Sequence, residues 1–152
     1  MKNRSPLYLL VPLLFLAGCG GHPPAEEPAE TAAAPATPPY IDPMEDKGIG
    51  PIQSVTLGPI DEAMVAQGKE VYDAMCTACH KLEKRFIGPS PVGILDRRTP
   101  EWVMNMILNP DVMVKKNAQA RDLLAEYMAP MANQNLTEEQ ARAVLEYFRT
   151  LK

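Results

Sequence analysis

Cys76 and Cys79 stand two residues apart and His80 follows directly, within the run "MCTACHKLEKRFIGPS" from Met75 to Ser90. Thiols and an imidazole at this spacing suit four chemistries. A disulfide across two residues closes a very short loop and contributes little chain entropy. A thioredoxin-like dithiol opens a helix after a strand, whereas the residues ahead of Cys76 read as helical. Tetrahedral zinc needs four ligands, usually a second Cys or His pair, and the chain has no second pair. The fourth chemistry is covalent haem attachment, for which Cys-X-X-Cys-His is the recognised spacing. Two cysteines on one turn form thioethers to the vinyl groups, and His80 then lies under the iron as its proximal ligand. Only this reading uses all three residues, so one covalent haem c is the expected cofactor.

The other axial ligand follows by elimination. His22, the other of the chain's two histidines, sits beside Pro23 and Pro24 in a polar segment and offers no ligand. A methionine is the better candidate, and Met128 and Met131 precede the last helix in "EYMAPMANQNLTEEQ". Met131 is preferred because it follows Pro130 in the irregular part. Met128 is the alternative and also reads as a packing residue of the preceding helix. Met64, Met104 and Met106, at helical spacing, read as core.

The beginning of the chain bears on the compartment. "MKNRSPLYLLVPLLFLAGC" carries Lys2 and Arg4, an apolar run from Leu7 to Leu16, and small residues before Cys19. This is an export signal, too short and too broken by Pro12 to span a core of roughly 30 Å. Its end, "LAGC", resembles a lipoprotein lipobox, which implies cleavage after residue 18 and acylation of Cys19. In bacteria haem is attached in this manner outside the cytoplasm, so signal and motif agree. Residues 19–59 are rich in Pro, Ala and Glu, and residues 20–47 carry six acids against Lys47 alone. They are expected to be a flexible tether with a reach of roughly 35 to 40 Å. The domain is expected from residue 60 to 152. Its net charge is close to −1, which gives no basic footprint for a nucleic acid.

Positioning the site falls to helices. "DEAMVAQGKEVYDAM" from Asp61 to Met75 has acids in its first turn and places Val65, Gly68, Tyr72 and Met75 on one face. Gly68 costs a helix about 1 kcal/mol against alanine, which asks for a close-packing reason. "TPEWVMNMILNP" places Thr99 and Pro100 at a helix start and ends before Pro110, with Trp102, Met106 and Ile107 on the buried side. Residues 116–128 suggest a further helix. The last has Thr137 as N-cap, Gln140 completing a capping box and Leu136 as staple, followed by Ala141, Val144, Leu145 and Phe148 at helical spacing. "IGPSPVG" from Ile87 to Gly93 reads as loop. No strand pattern competes, so the fold class is all-α.

About 90 residues, from the helix with Gly68 and Tyr72 through "CTACH" and Gly88-Pro89 to the late methionine and the helix with Val144 and Tyr147, resemble a class I cytochrome c. The resemblance implies crossed N- and C-terminal helices, a glycine of one meeting an aromatic of the other, here Gly68 and Tyr147. Four or five short helices and loops then enclose the haem. It also implies that the Pro89 carbonyl accepts a hydrogen bond from the His80 imidazole, which fixes the ring and raises its donor strength. The pattern departs at the distal ligand, where Ala132 rather than proline follows Met131, and at residues 111–126, which are longer and more helical. Within the family, "RTPEWVMNMILNP" and "LAEYMAPMANQNLTEEQARAVLEYF" are similar to small lipid-anchored cytochromes that accompany nitrous-oxide reductases.

Iron with both axial positions filled by protein has no place for a substrate, so the expected role is electron carrier rather than enzyme, with no small-molecule substrate. His and Met ligation raises the reduction potential. The expected partners are a quinol-oxidising complex as donor and a terminal reductase or oxidase as acceptor, with the membrane reached through lipidated Cys19. Lys81, Lys84 and Arg85 either steer an acidic partner or are solvated charges. The runner-up is a haem sensor whose methionine yields to carbon monoxide or nitric oxide.

Overall fold

The computed structural model describes residues 40–152; the expected signal segment, Cys19 and His22 lie outside the described residues. In chain order it has α1 (Glu62–Met75), a 3-10 turn (Ile94–Asp96), α2 (Pro100–Leu108), α3 (Pro110–Lys116), α4 (Ala118–Tyr127) and α5 (Glu138–Phe148). The fold is all-α, with no strand among the described residues. No helix among them is long and apolar enough to cross a membrane.

The helix starts are set by side chains that take up otherwise orphaned N–H groups, each typically worth ~1 kcal/mol. Asp61 accepts from Met64 N–H at 3.0 Å, and Thr99 from Trp102 N–H at 3.1 Å with Pro100 at the first helical position. At α5 the capping box is complete: Gln140 N–H donates to Thr137 Oγ1 at 3.2 Å, and Thr137 N–H to Gln140 Oε1 at 2.9 Å.

One segment departs from expectation between α2 and α4. Pro110 ends α2 but also opens α3, because a proline at the first helical position loses no bond and Asn109, at φ −144° and ψ 49°, redirects the chain ahead of it. Asn117 then breaks α3 and caps α4, accepting from Ala120 N–H at 2.9 Å. The expected helix over 116–128 is therefore Ala118–Tyr127, and Met128 lies outside it in the left-handed region, φ 52°.

α1 and α5 form the most extensive helix pair. A Cβ at Gly68 would fall on the Ala143 carbonyl and 2.9 Å from Val144 N. Gly68 therefore meets the backbone of α5 at Ala143 and Val144. Tyr147 pairs one turn further along with Tyr72, ring centroids 5.5 Å apart. Trp102, Val103 and Ile107 of α2, Met113 of α3 and Val144 and Leu145 of α5 form the core beside this crossing.

The expected tether ends earlier than residue 59. Ile52 is buried and its N–H and C=O both bond to the side chain of fully buried Asn105, at 3.0 and 2.9 Å. Asp46 is buried, accepting from Asn117 Nδ2 at 2.7 Å through its carboxylate and from Thr99 Oγ1 at 2.6 Å through its carbonyl. Glu101 accepts from Val55 N–H at 2.9 Å. Residues 46–55 are thus a strap over α2 to α4, because their polar backbone finds buried side-chain partners that composition does not reveal.

Candidate functional site

The cysteine motif begins where α1 ends. Cys76 N–H still bonds to Tyr72 O, and the N–H groups of Cys79 and His80 both bond back to Cys76 O at 3.1 and 2.9 Å, which winds the three residues into one turn. Cys76 and Cys79 are not joined to each other. Burial, and next the neighbouring Cys79, pushes the Cys76 thiol up to about 11, the opposite of the depressed value a redox dithiol needs. Among the described residues no three His, Cys, Asp or Glu side chains gather as a cluster, so the zinc arrangement is not formed there.

His80 is held from two sides. Tyr72, buried in the α1–α5 crossing, donates its hydroxyl to His80 O at 3.0 Å, and burial, ahead of the Cys76 sulfur, raises the phenol to about 12, so it remains a donor. The ring Nδ1 lies 2.7 Å from Pro89 O. A carbonyl only accepts, so Nδ1 carries the proton and Nε2 keeps its lone pair free for a metal. Gly88 makes this approach possible: a Cβ there would stand 2.5 Å from His80 Cε1 and 2.8 Å from Nδ1. The Gly88-Pro89 backbone therefore comes close against the imidazole.

These groups border a cavity of about 240 Å³ whose walls are mainly apolar, with Val103, Ile107, Leu123 and Phe148 among them. Cys76, Cys79, His80 and Met131 all line it. Met128 does not; it is 87% exposed. Met131 is half-buried and packs against the core. The structure thus brings together four of the expected site residues, with Pro89 on the same wall, and leaves Met128 outside. Arg97 and Arg98 also line the cavity and were missed in the sequence. Arg97 donates to the carbonyls of Ser90, Val92 and Gly93, and the Arg98 guanidinium lies 5.0 Å from the Trp102 ring centroid. The paired cations after the 3-10 turn were the only sequence signal for them. They suit the two carboxylates that a haem carries. An imidazole with its Nε2 lone pair available, a thioether and two cysteine sulfurs around a mainly apolar chamber fit a covalently held haem.

The family model described as Cytochrome c matches residues 65–152. The chain belongs to the cytochrome c family. Among solved structures, the cytochrome c from Rhodothermus marinus is 44% identical, with a TM-score of 0.66, covering 67% of this chain and 89% of that one. An engineered cytochrome c from the same organism, bound to a carbene intermediate, is also 44% identical over the same shares, with a TM-score of 0.63. No curated protein matches. This cytochrome c therefore has the class I fold and one covalently bound haem c, and it belongs among haem-based electron-transfer proteins.

Proposed function

We propose that the protein is a membrane-tethered, periplasm-facing carrier of single electrons, its haem held through Cys76 and Cys79 and ligated by His80 and Met131. It would take electrons from a quinol-oxidising complex and deliver them to a terminal reductase or oxidase, nitrous-oxide reductase being the acceptor the sequence resemblance favours. Cys19 would carry the lipid. The observation that supports this most is that His80 and Met131 line one mainly apolar chamber while Met128 is exposed. When bound, the haem supplies a one-electron iron couple. His80 and Met131 would hold the iron, and the mainly apolar walls would keep water from it. Pro89 orients the imidazole and Tyr72 fixes its backbone.

Partner access is favoured beside the cysteine turn, where Met75, Phe86 and Ile87 are each 40 to 49% exposed. Of the three cations after the motif, Lys81 donates to Thr77 O and Arg85 to Glu126. Lys84 alone of the three makes no side-chain hydrogen bond to a described residue, so steering by this triplet is weaker than its charge suggests.

The ligand test is spectroscopic. The oxidised protein is expected to show the weak near-infrared band of a thioether bound to ferric haem. Met131→Ala should abolish it and Met128→Ala should keep it; the reverse result would move the ligand to Met128.

A further inference from the structure

The two walls of the haem chamber come from distant parts of the chain. One is the turn and loop from Cys76 to Pro91; the other is α4 with the loop that carries Met131. Among the described residues, a single side chain makes hydrogen bonds between them. Arg85 Nη1 donates to Glu126 Oε1 at 2.6 Å and its Nη2 to Glu126 O at 2.8 Å. Its guanidinium carbon also lies 4.0 Å from the centroid of the Tyr127 ring, itself part of the chamber wall.

Glu126 and Tyr127 are the last residues of α4, and Met128 then turns left-handed into Ala129, Pro130 and Met131. Arg85 therefore grips the point from which the ligand loop departs. Apart from the packing of Met131 and Leu136 on the core, the loop has few other ties. Its other side-chain bonds are internal, apart from one long contact from Asn133 Nδ2 to Leu108 O at 3.5 Å. An exposed ion pair alone contributes little, and both side chains here are about half exposed. A planar fork that serves a carboxylate, a carbonyl and a ring face at once is more restrictive, and an ammonium group cannot reproduce it.

We propose that Arg85 is a latch: it ties the loop after the haem motif to the end of α4 and so restrains the Met131 loop against displacement by an outside ligand. This rests on Met131 being the distal ligand. Arg85 is a positioning residue, since none of its bonds goes to His80 or Met131.

The test uses imidazole, which enters ferric haem when the methionine leaves, on the full oxidised holoprotein. Arg85→Met is expected to bind imidazole about tenfold faster than wild type, the size a stacked ion pair can supply, with Arg85→Lys in between. Glu126→Gln keeps the ring stack and the carbonyl bond and is expected to show a smaller effect in the same direction. High salt should speed binding to wild type and leave Arg85→Met unchanged. Equal rates in wild type, Arg85→Met and Glu126→Gln, with the near-infrared thioether band present in all, would overturn the latch alone. Absence of that band from wild type before imidazole is added would overturn the Met131 ligation and the latch together.

Discussion

Gly68→Ala is expected to lower the stability of the holoprotein by about 2 kcal/mol, and Gly68→Val by more. The added Cβ would meet the Ala143 carbonyl and Val144 N, which belong to helical backbone and cannot rotate away. Overpacking of this kind costs typically 1–3 kcal/mol and occasionally more, against which the better helix propensity of alanine returns about 1 kcal/mol. A rigid obstacle puts Gly68 at the upper end. The effect reaches the site as well, because Tyr72, one turn along α1, packs on Tyr147 and Phe148 and holds the backbone of His80. Thermal unfolding should show a midpoint lower by about 10 °C for a domain of this size. An unchanged midpoint would mean that α1 and α5 do not approach as closely as the structure shows.

Glu146→Ala is expected to cost about 3 kcal/mol at neutral pH. The Glu146 side chain is fully buried, yet it carries three bonds: from Arg142 at 2.5 Å, Arg149 at 2.6 Å and the Asp61 N–H at the start of α1 at 3.0 Å. Burial opposes the charge, but Arg149, the Asp61 N–H and Arg142 together outweigh it and hold the carboxyl below its usual range. Removing one partner of a buried ion pair costs 3–5 kcal/mol. The low end applies here because Arg142 and Arg149 keep 24% and 15% of their side chains in water. A lowered folded-state value means that the contribution is complete above the ordinary glutamate range near 4.3 and is lost as pH falls through the folded value. Urea unfolding at pH 7 and pH 3 should therefore show a large gap between wild type and variant that narrows in acid. A gap of the same size at both pH values would show that packing, not the carboxylate charge, sets the cost.

These two residues also show what the sequence could and could not tell. Gly68 stood out because a glycine within an otherwise regular helix needs a reason, and the need for close packing was readable from that alone. Its partner was not, since a backbone carbonyl leaves no mark in residue type. Glu146 sits in α5 among the apolar positions that were recognised, but a lone acid there reads as solvent-facing until Arg142, Arg149 and the start of α1 are brought around it. The helix starts at Thr99 and Thr137 were legible because the cap and its N–H lie within three residues, whereas Asp61 read as a first-turn acid and is the cap of α1. The strap was not: Asp46 meets Asn117 and Ile52 meets Asn105 across 71 and 53 residues. Within the strap Gly48 has φ +71°, and a Cβ there would press on Met113.

At the site, the turn from Cys76 to His80 and the bond from the His80 imidazole to the Pro89 carbonyl are local and were readable from motif and family resemblance, whereas the close approach of Gly88 was not. The choice between two methionines depended on where α4 ends. Leu124 O takes up the Met128 N–H, and the chain then leaves the helix left-handed, which sends one sulfur to solvent and brings the other to the chamber wall. Arg97 and Arg98 belong to a surface pair by composition and to the chamber only through the fold.

The central claim is that both axial positions are filled by the chain, so that the protein carries electrons and binds no outside ligand in its working state. Mixing the reduced holoprotein with carbon monoxide tests it most directly. The expected result is slow binding whose rate levels off as carbon monoxide is raised, limited by release of Met131. Fast binding that rises in proportion to carbon monoxide would show an open iron and contradict the account.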